Sequence, residues 1–148
     1  MAKDAVSQLP NVSLCHQSAV YETAPVGVRD QYKDLAYLNA IIIINTDSTP
    51  KNILDSIHDI ESQMGRIRTE DRFAPRPIDI DILYAGNTMS DCDDLILPHP
   101  RWAERRFVVQ PLADVRPNLI FPDCHKTVSQ ILKILPTEPK VEIFIKDW

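Results

Sequence analysis

Arg72-Phe73-Ala74-Pro75-Arg76-Pro77-Ile78-Asp79-Ile80-Asp81-Ile82-Leu83 is the stretch that decides how the rest of this chain is read. Its second half alternates Ile78, Ile80 and Ile82 with Asp79 and Asp81, and Leu83-Tyr84 extends the apolar run, which predicts a buried strand. Side chains two apart on a strand share a face, so Asp79 and Asp81 stand side by side, roughly 7 Å apart at Cα. Two like charges at that spacing repel, and burying them without a partner is costly. A cation over them relieves both problems. Carboxylate oxygens suit Mg²⁺, which usually brings substrate phosphates with it, so a pair of divalent ions is the economical reading. An Asp-x-Asp is also a common tripeptide whose side chains face water or pair with arginine. The surroundings decide between the two.

The chain has 148 residues, enough for one domain with a real core, and 44% hydrophobic with 25% charged residues is a globular composition, not a disordered one. No apolar run reaches the roughly 18 residues that span a bilayer, and the first residues lack a secretory-signal pattern. Cys15, Cys92 and Cys124 form no Cys-x-x-Cys pair, so neither a disulfide frame nor a zinc site is indicated, and Cys124-His125 reads as loop. The cytoplasm is the expected compartment. A net charge of −5 argues against general nucleic-acid binding. Yet seven of the nine arginines (Arg66, Arg68, Arg72, Arg76, Arg101, Arg105 and Arg106) fall between positions 66 and 106. Forked guanidinium donors match phosphate oxygens, so a guanidinium cluster flanking two carboxylates suits a polyanion with its metal.

Outward from the central stretch, residues 2–9 read as the last turns of a helix with Ala5 and Leu9 on one side. Val12 to Thr23 is strand-like, ended by Ala24-Pro25-Val26-Gly27, and a polar connector covers residues 28–35. Tyr37–Asn45 is the clearest strand, and its four consecutive isoleucines predict burial on both faces. Asn39 is the polar exception there; its amide must bond either to a neighbouring loop or to a ligand. A helix follows, capped by Ser48 or Thr49, with Pro50 in its first turn and Gly65 past its end. Ile53, Ile57, Ile60 and Met64 form its buried stripe, with Glu61 at the border, either an ordinary exposed helix glutamate or a site residue. Residues 66–76 form a charged connector. After the central strand come a tight turn at Gly86-Asn87 with a short return, an apolar step at Leu95-Ile96-Leu97, and Pro98-His99-Pro100, whose prolines hold His99 extended. Trp102–Asp114 reads as helical around Pro111. Thr127 caps a last helix carrying Val128, Ile131, Leu132 and Leu135, and Val141, Ile143 and Ile145 form an edge strand. The order is α+β, one sheet with helices on it.

These residues resemble the 6-hydroxymethyl-7,8-dihydropterin pyrophosphokinase family of folate biosynthesis. Arg72, Ala74, Pro75, Arg76, Asp79, Ile80, Asp81, Ile82 and Leu83 meet the constrained positions of the family signature, which is far more specific than Asp-x-Asp alone. Pro98-His99-Pro100-Arg101 with Glu104-Arg105-Arg106-Phe107 and Pro111-Leu112 is a second match. Tyr21-Glu22-Thr23-Ala24-Pro25-Val26-Gly27 and Tyr37-Leu38-Asn39 are a third and fourth, so the resemblance covers about residues 2–135. It implies a single pyrophosphokinase domain over residues 1–148 with a ferredoxin-like α/β sandwich, mainly antiparallel, and transfer of a diphosphate from ATP to the pterin hydroxymethyl group. By the same resemblance two Mg²⁺ sit on Asp79 and Asp81, and Arg66, Arg68 and Arg76 meet the developing phosphoryl charge. Glu61, Arg76, Ile82, His99 and Arg105 line the ATP site. Thr23, Ala24 and Val26 read the pterin edge through backbone groups, Asn39 through its side chain, and Tyr37 and Phe107 sandwich the ring. The partners implied are these small molecules, with no nucleic acid and no membrane; the oligomeric state is not legible.

The chain departs from the family in three ways. The family begins with an apolar strand and a Gly-Ser-Asn-Leu turn, whereas this sequence starts inside the following helix. That predicts a truncated or mis-started chain, or a gap repaired by Val141–Ile145 or by another chain. Phe73 stands where some members have Trp. Asp94 and Ile96 stand where certain members carry Arg and Thr, so adenine and ribose contacts are expected to differ. Two rival functions stay open: a catalytically inactive module that still binds pterin or nucleotide, and a metal-dependent phosphodiesterase using the same Asp pair.

Overall fold

The two long strands expected at Val12–Thr23 and Tyr37–Asn45 do pair with each other, but both bend midway. The computed structural model describes residues 2–23, 37–65 and 78–148. After a short helix α1 (Ala2–Ser7), the first strand is divided into β1 (Val12–Gln17) and β2 (Val20–Thr23), and the second into β3 (Tyr37–Asn39) and β4 (Ile42–Thr46). β1 pairs with β4 and β2 with β3, both antiparallel. The bend is held by Ser18, which is buried. Its N–H donates to the Ile41 carbonyl at 2.9 Å, and its hydroxyl oxygen accepts the Ile41 N–H, also at 2.9 Å. The indole N–H of Trp148 closes the same corner by donating to the Ser18 carbonyl at 2.7 Å. A register shift between Leu14 and His16 adds to the twist of this ribbon.

Among the described residues the strands form three small antiparallel sheets. One is β1-β4; the second has the order β3-β2-β7, with β7 at Val141–Ile145; the third is a hairpin of β5 (Ser90–Cys92) and β6 (Leu95–Leu97). The expected edge strand is therefore β7, and it joins β2 rather than residues 78–84. Several expectations are corrected here. The described strands form three small sheets, not the one sheet expected. Residues 78–84 are extended but belong to no described sheet, because their backbone groups bond elsewhere: Ile80 N–H donates to a Glu61 carboxylate oxygen at 2.9 Å, and the Leu83 carbonyl accepts the His99 N–H at 2.8 Å. The isoleucines at 41–44 are half-buried, not buried on both faces, because among the described elements only β1 makes an extensive contact with β4 and no helix layer covers it extensively. The short return expected at Thr88-Met89 is not a strand; β5 follows it at Ser90–Cys92 and pairs with the apolar step Leu95–Leu97.

The helices follow their punctuation closely. Helix α2 (Pro50–Gln63) has Thr49 as its N-cap, accepting the Asn52 N–H at 3.2 Å, and Gly65 just beyond it takes φ 88°. Ile53, Leu54, Ile57 and Ile60 are its buried stripe, against which α1 packs. Trp102–Glu104 forms a single 3₁₀ turn before α3 (Arg106–Val115), with Pro111 inside that helix and buried. Thr127 and Gln130 make a reciprocal capping box on α4 (Val128–Ile134). α3 and α4 build the main core, where Val109, Leu112, Val128 and Ile131 surround Phe121. The Phe121 ring stacks on Trp102 at 3.8 Å between centroids. No described helix is long and apolar enough to cross a membrane, and all three cysteines are free.

Phe121 is 1% exposed, so Phe121→Ala removes a fully packed ring and leaves a cavity. The expected loss is about 3–5 kcal/mol of unfolding free energy, read from the urea midpoint. A loss below about 1 kcal/mol would show that this cluster is not the folding core.

Candidate active site

Three elements converge on one cleft. Helix α2 contributes Leu54, His58 and Glu61, the extended segment contributes Asp79, Ile80, Asp81 and Ile82, and the β5–β6 hairpin contributes Asp93 to Ile96. His99 and Pro100 complete a cavity of about 280 Å³. Its geometry begins with Glu61, which is only 4% exposed. The exposed-glutamate reading of this residue is therefore corrected: the side chain is buried and bonded to backbone. A helix glutamate turned inward needs hydrogen-bond donors, and the Ile80 backbone N–H is one of them. That bond fixes the residue between the two aspartates to α2. The His99 N–H to Leu83 carbonyl bond fixes the other end of the segment.

Along 78–82 the isoleucines are half-buried and the aspartates are the exposed alternates, so the period-two pattern survives without a ladder. Asp81 is open as a residue, but its carboxyl lies in the cleft. Lost hydration there, and next the charge of Asp79, push its pKa up. His99 is pushed the other way, chiefly by burial, with Arg105 and Arg101 adding to the effect and Asp81 opposing it. Its Nδ1 accepts the Arg101 N–H at 3.2 Å, which leaves Nε2 to carry the proton of the neutral ring. Arg105 acts electrostatically on both Asp81 and His99, and its guanidinium lies 5.6 Å from the centroid of the Phe107 ring.

A second group lies on the three-stranded sheet. Tyr21 is opposite Asn39 and Thr23 opposite Tyr37, and directly paired residues share a face, so all four side chains project to one side. Helix α3 packs on this sheet and carries Phe107 in its first turn. Thr23 is 3% exposed, and its hydroxyl is the one buried side-chain polar atom without a hydrogen-bond partner among the described residues.

Of the residues singled out in the sequence, Glu61, Asp79, Asp81, Ile82 and His99 come together in the cleft, with Arg105 beside it. Thr23, Tyr37 and Asn39 share the sheet face. Ala24, Val26, Arg66, Arg68 and Arg76 lie outside the described residues. Leu54, His58, Asp93, Leu95 and Pro100 were not anticipated as lining residues. His58 stands three residues before Glu61, so the helical period alone could have found it. The hairpin could not be found that way, because it reaches the cleft through a tertiary contact: Lys51 Nζ to Asp94 Oδ2 at 2.8 Å, shared with Asp55 at 3.3 Å.

Residues 1–117 match the family model of 7,8-dihydro-6-hydroxymethylpterin-pyrophosphokinase. The chain is 35% identical over 137 residues to 2-amino-4-hydroxy-6-hydroxymethyldihydropteridine pyrophosphokinase of Pseudomonas aeruginosa, covering 93% of this chain and 82% of that protein. It is 41% identical over 120 residues to the protein of the same name from Methylorubrum extorquens, covering 80% and 73%. It is also 40% identical over 119 residues to the folic acid synthesis protein FOL1 of Dictyostelium discoideum, of which the match spans only 18%.

The raised pKa of Asp81 carries a stability consequence. A carboxyl whose folded pKa lies above its unfolded value destabilises the fold increasingly as pH rises through the ordinary aspartate range and beyond. In chelator-treated protein, Asp81→Asn should therefore melt higher than the native chain at pH 7, with the gap closing towards pH 4. Equal melting temperatures across that range would mean that Asp81 is solvated like a free carboxylate.

Proposed function

This chain belongs to the 7,8-dihydro-6-hydroxymethylpterin-pyrophosphokinase family, and from that membership we infer that it transfers a diphosphate from ATP to the hydroxymethyl group of 6-hydroxymethyl-7,8-dihydropterin, releasing AMP, in folate synthesis. The observation that carries this reading is the single cleft in which Asp79, Asp81, Glu61 and His99 meet. The hydroxymethyl oxygen forms a bond to the β-phosphorus as its proton passes to solvent. The bond from that phosphorus to the oxygen bridging it to the α-phosphorus breaks, and the bridging oxygen leaves with AMP. Two polyanionic fragments separate in this step, so catalysis rests on positioning and on charge neutralisation.

The donor set fits Mg²⁺. Five carboxylates line the cleft, those of Asp79, Asp81, Glu61, Asp93 and Asp94, and no three metal-binding side chains among the described residues lie close enough together to form a protein-only cage. That is the pattern of an ion that takes one or two carboxylates and completes its shell with phosphate and water. We take Asp79 and Asp81 to hold two such ions. When bound, Mg²⁺ neutralises triphosphate charge and polarises the phosphoryl group under attack. His99, neutral with its proton on Nε2, donates to a phosphate oxygen, and Arg105 adds a fixed positive charge. Glu61 holds the Asp segment and faces the nucleotide, and Ile82 supplies apolar contact. Arg66, Arg68 and Arg76 meet the charge that develops on the transferred group.

For the pterin, Asn39 supplies donor and acceptor to the polar edge, Tyr37 and Phe107 stack on the ring, and Ala24 and Val26 offer backbone groups. Thr23 offers backbone groups too, and its orphaned hydroxyl is suited to a polar ligand edge. The protein is read as a single ferredoxin-like domain over residues 1–148, acting in the cytoplasm.

Purified protein given ATP, Mg²⁺ and the hydroxymethyl pterin should form AMP only when the pterin is present. Pterin-independent hydrolysis would favour a phosphodiesterase, and pterin binding without AMP an inactive module. Asp81→Ala should lower turnover about 100-fold or more while the protein remains folded, since metal stabilisation of the transition state is worth several kcal/mol. Near-normal turnover would remove the metal role. Thr23→Val should raise the melting temperature, because it deletes an unpartnered hydroxyl, and weaken pterin binding. Unchanged pterin affinity would confine Thr23 to its backbone.

A further inference from the structure

Tyr21 links the two walls between which the pterin is read. The residue is 4% exposed, and its hydroxyl donates to Asp114 Oδ2 at 2.7 Å, from β2 to α3. Burial, and next this bond, push its pKa up to about 12, so it stays a donor throughout the working range. Gln110 also reaches the hydroxyl. On the sheet side, Tyr21 shares its face with Thr23, Tyr37 and Asn39 through the strand register. On the helix side, Phe107, Gln110 and Asp114 are spaced i, i+3 and i+7, which is one stripe of α3.

Val109 and Leu112 lie on the opposite side of that helix, buried in the core with Phe121. The core therefore holds α3 from behind, and the Tyr21–Asp114 bond ties its front to the sheet. Seven residues of helix, about 10 Å, separate Asp114 from Phe107. Over that length a small change of tilt at Asp114 changes the gap between Phe107 and the sheet face. A flat ring held on both sides needs a gap of about 7 Å, two carbon contact distances, and tolerates little error in it.

We propose that the Tyr21–Asp114 hydrogen bond is a positioning pair that sets the width of the pterin slot between Phe107 and the Tyr37–Asn39 face. Neither residue touches the reacting atoms. The inference rests on the assignment of Tyr37, Asn39 and Phe107 to the pterin, and the experiment separates the two.

Full-length protein is titrated with the hydroxymethyl pterin in the presence of Mg²⁺ and a non-hydrolysable ATP analogue, and separately with the analogue alone. Tyr21→Phe and Asp114→Leu should each weaken pterin binding about five- to tenfold and leave analogue affinity within about twofold. The double variant should be no weaker than either single one, because both remove the same bond. Asp114→Asn keeps an acceptor oxygen and should restore near-native affinity, also covering the case in which Asp114→Leu fails to fold. If Tyr21→Phe binds pterin like the native chain, or loses pterin and nucleotide alike, the pair has no positioning role. Asn39→Ala and Phe107→Ala are the control arm. If they weaken pterin binding while Tyr21→Phe does not, only the positioning inference falls; if they too leave it unchanged, the pterin assignment falls with it.

Discussion

Two carboxylates two residues apart on an extended segment repel each other, and the fold spends its most specific backbone bonds on keeping them together. The buried Glu61 carboxylate accepts the N–H of Ile80, the residue between them, and the Leu83 carbonyl accepts the N–H of His99. Both bonds lie outside any described sheet ladder, so the segment is held by side-chain and loop contacts. The upward pull on the Asp81 pKa comes first from lost hydration in the cleft and next from the charge of Asp79. In the proposed reading, Mg²⁺ on the two carboxylates would relieve both.

The second half of the chemistry depends on a different region of the fold. The long β1–β2 and β3–β4 ribbon bends at Ser18, and the bend separates a β1-β4 pair from the three-stranded sheet that faces α3. Pterin recognition is assigned to that sheet face and to the start of α3, while the acidic cleft lies between α2, the Asp segment and the β5–β6 hairpin. Arg105 sits between the two, acting on Asp81 and His99 and lying over the Phe107 ring. In the proposed reading the bond to be made joins these regions, since the pterin supplies the nucleophile and ATP the phosphorus.

Much of this was legible in the residues. The cap at Thr49, the stop at Gly65 and the cap at Thr127 are local chemistry, and local chemistry is readable one turn at a time. The alternation at 78–82 correctly gave two aspartates on one side, because period two needs only an extended backbone. It did not say whether that backbone would be paired, since pairing is a property of what lies alongside. The same limit applies to the four isoleucines, whose pattern fits burial on both faces while only β1, among the described elements, makes an extensive contact with β4. Asp93, Leu95 and Pro100 in the cleft carry no periodic signal of their own; the first two come there on the β5–β6 hairpin, which meets α2 in an exposed Lys51–Asp94 ion pair.

The claim on which everything else stands is that Asp79 and Asp81 jointly gather the ions of the nucleotide. A crystal structure with Mg²⁺, a non-hydrolysable ATP analogue and the pterin tests it most directly. The account predicts ions about 2.0–2.1 Å from carboxylate oxygens of both residues, and in contact with the triphosphate. Ions and triphosphate bound elsewhere, with both aspartates facing only water, would contradict it.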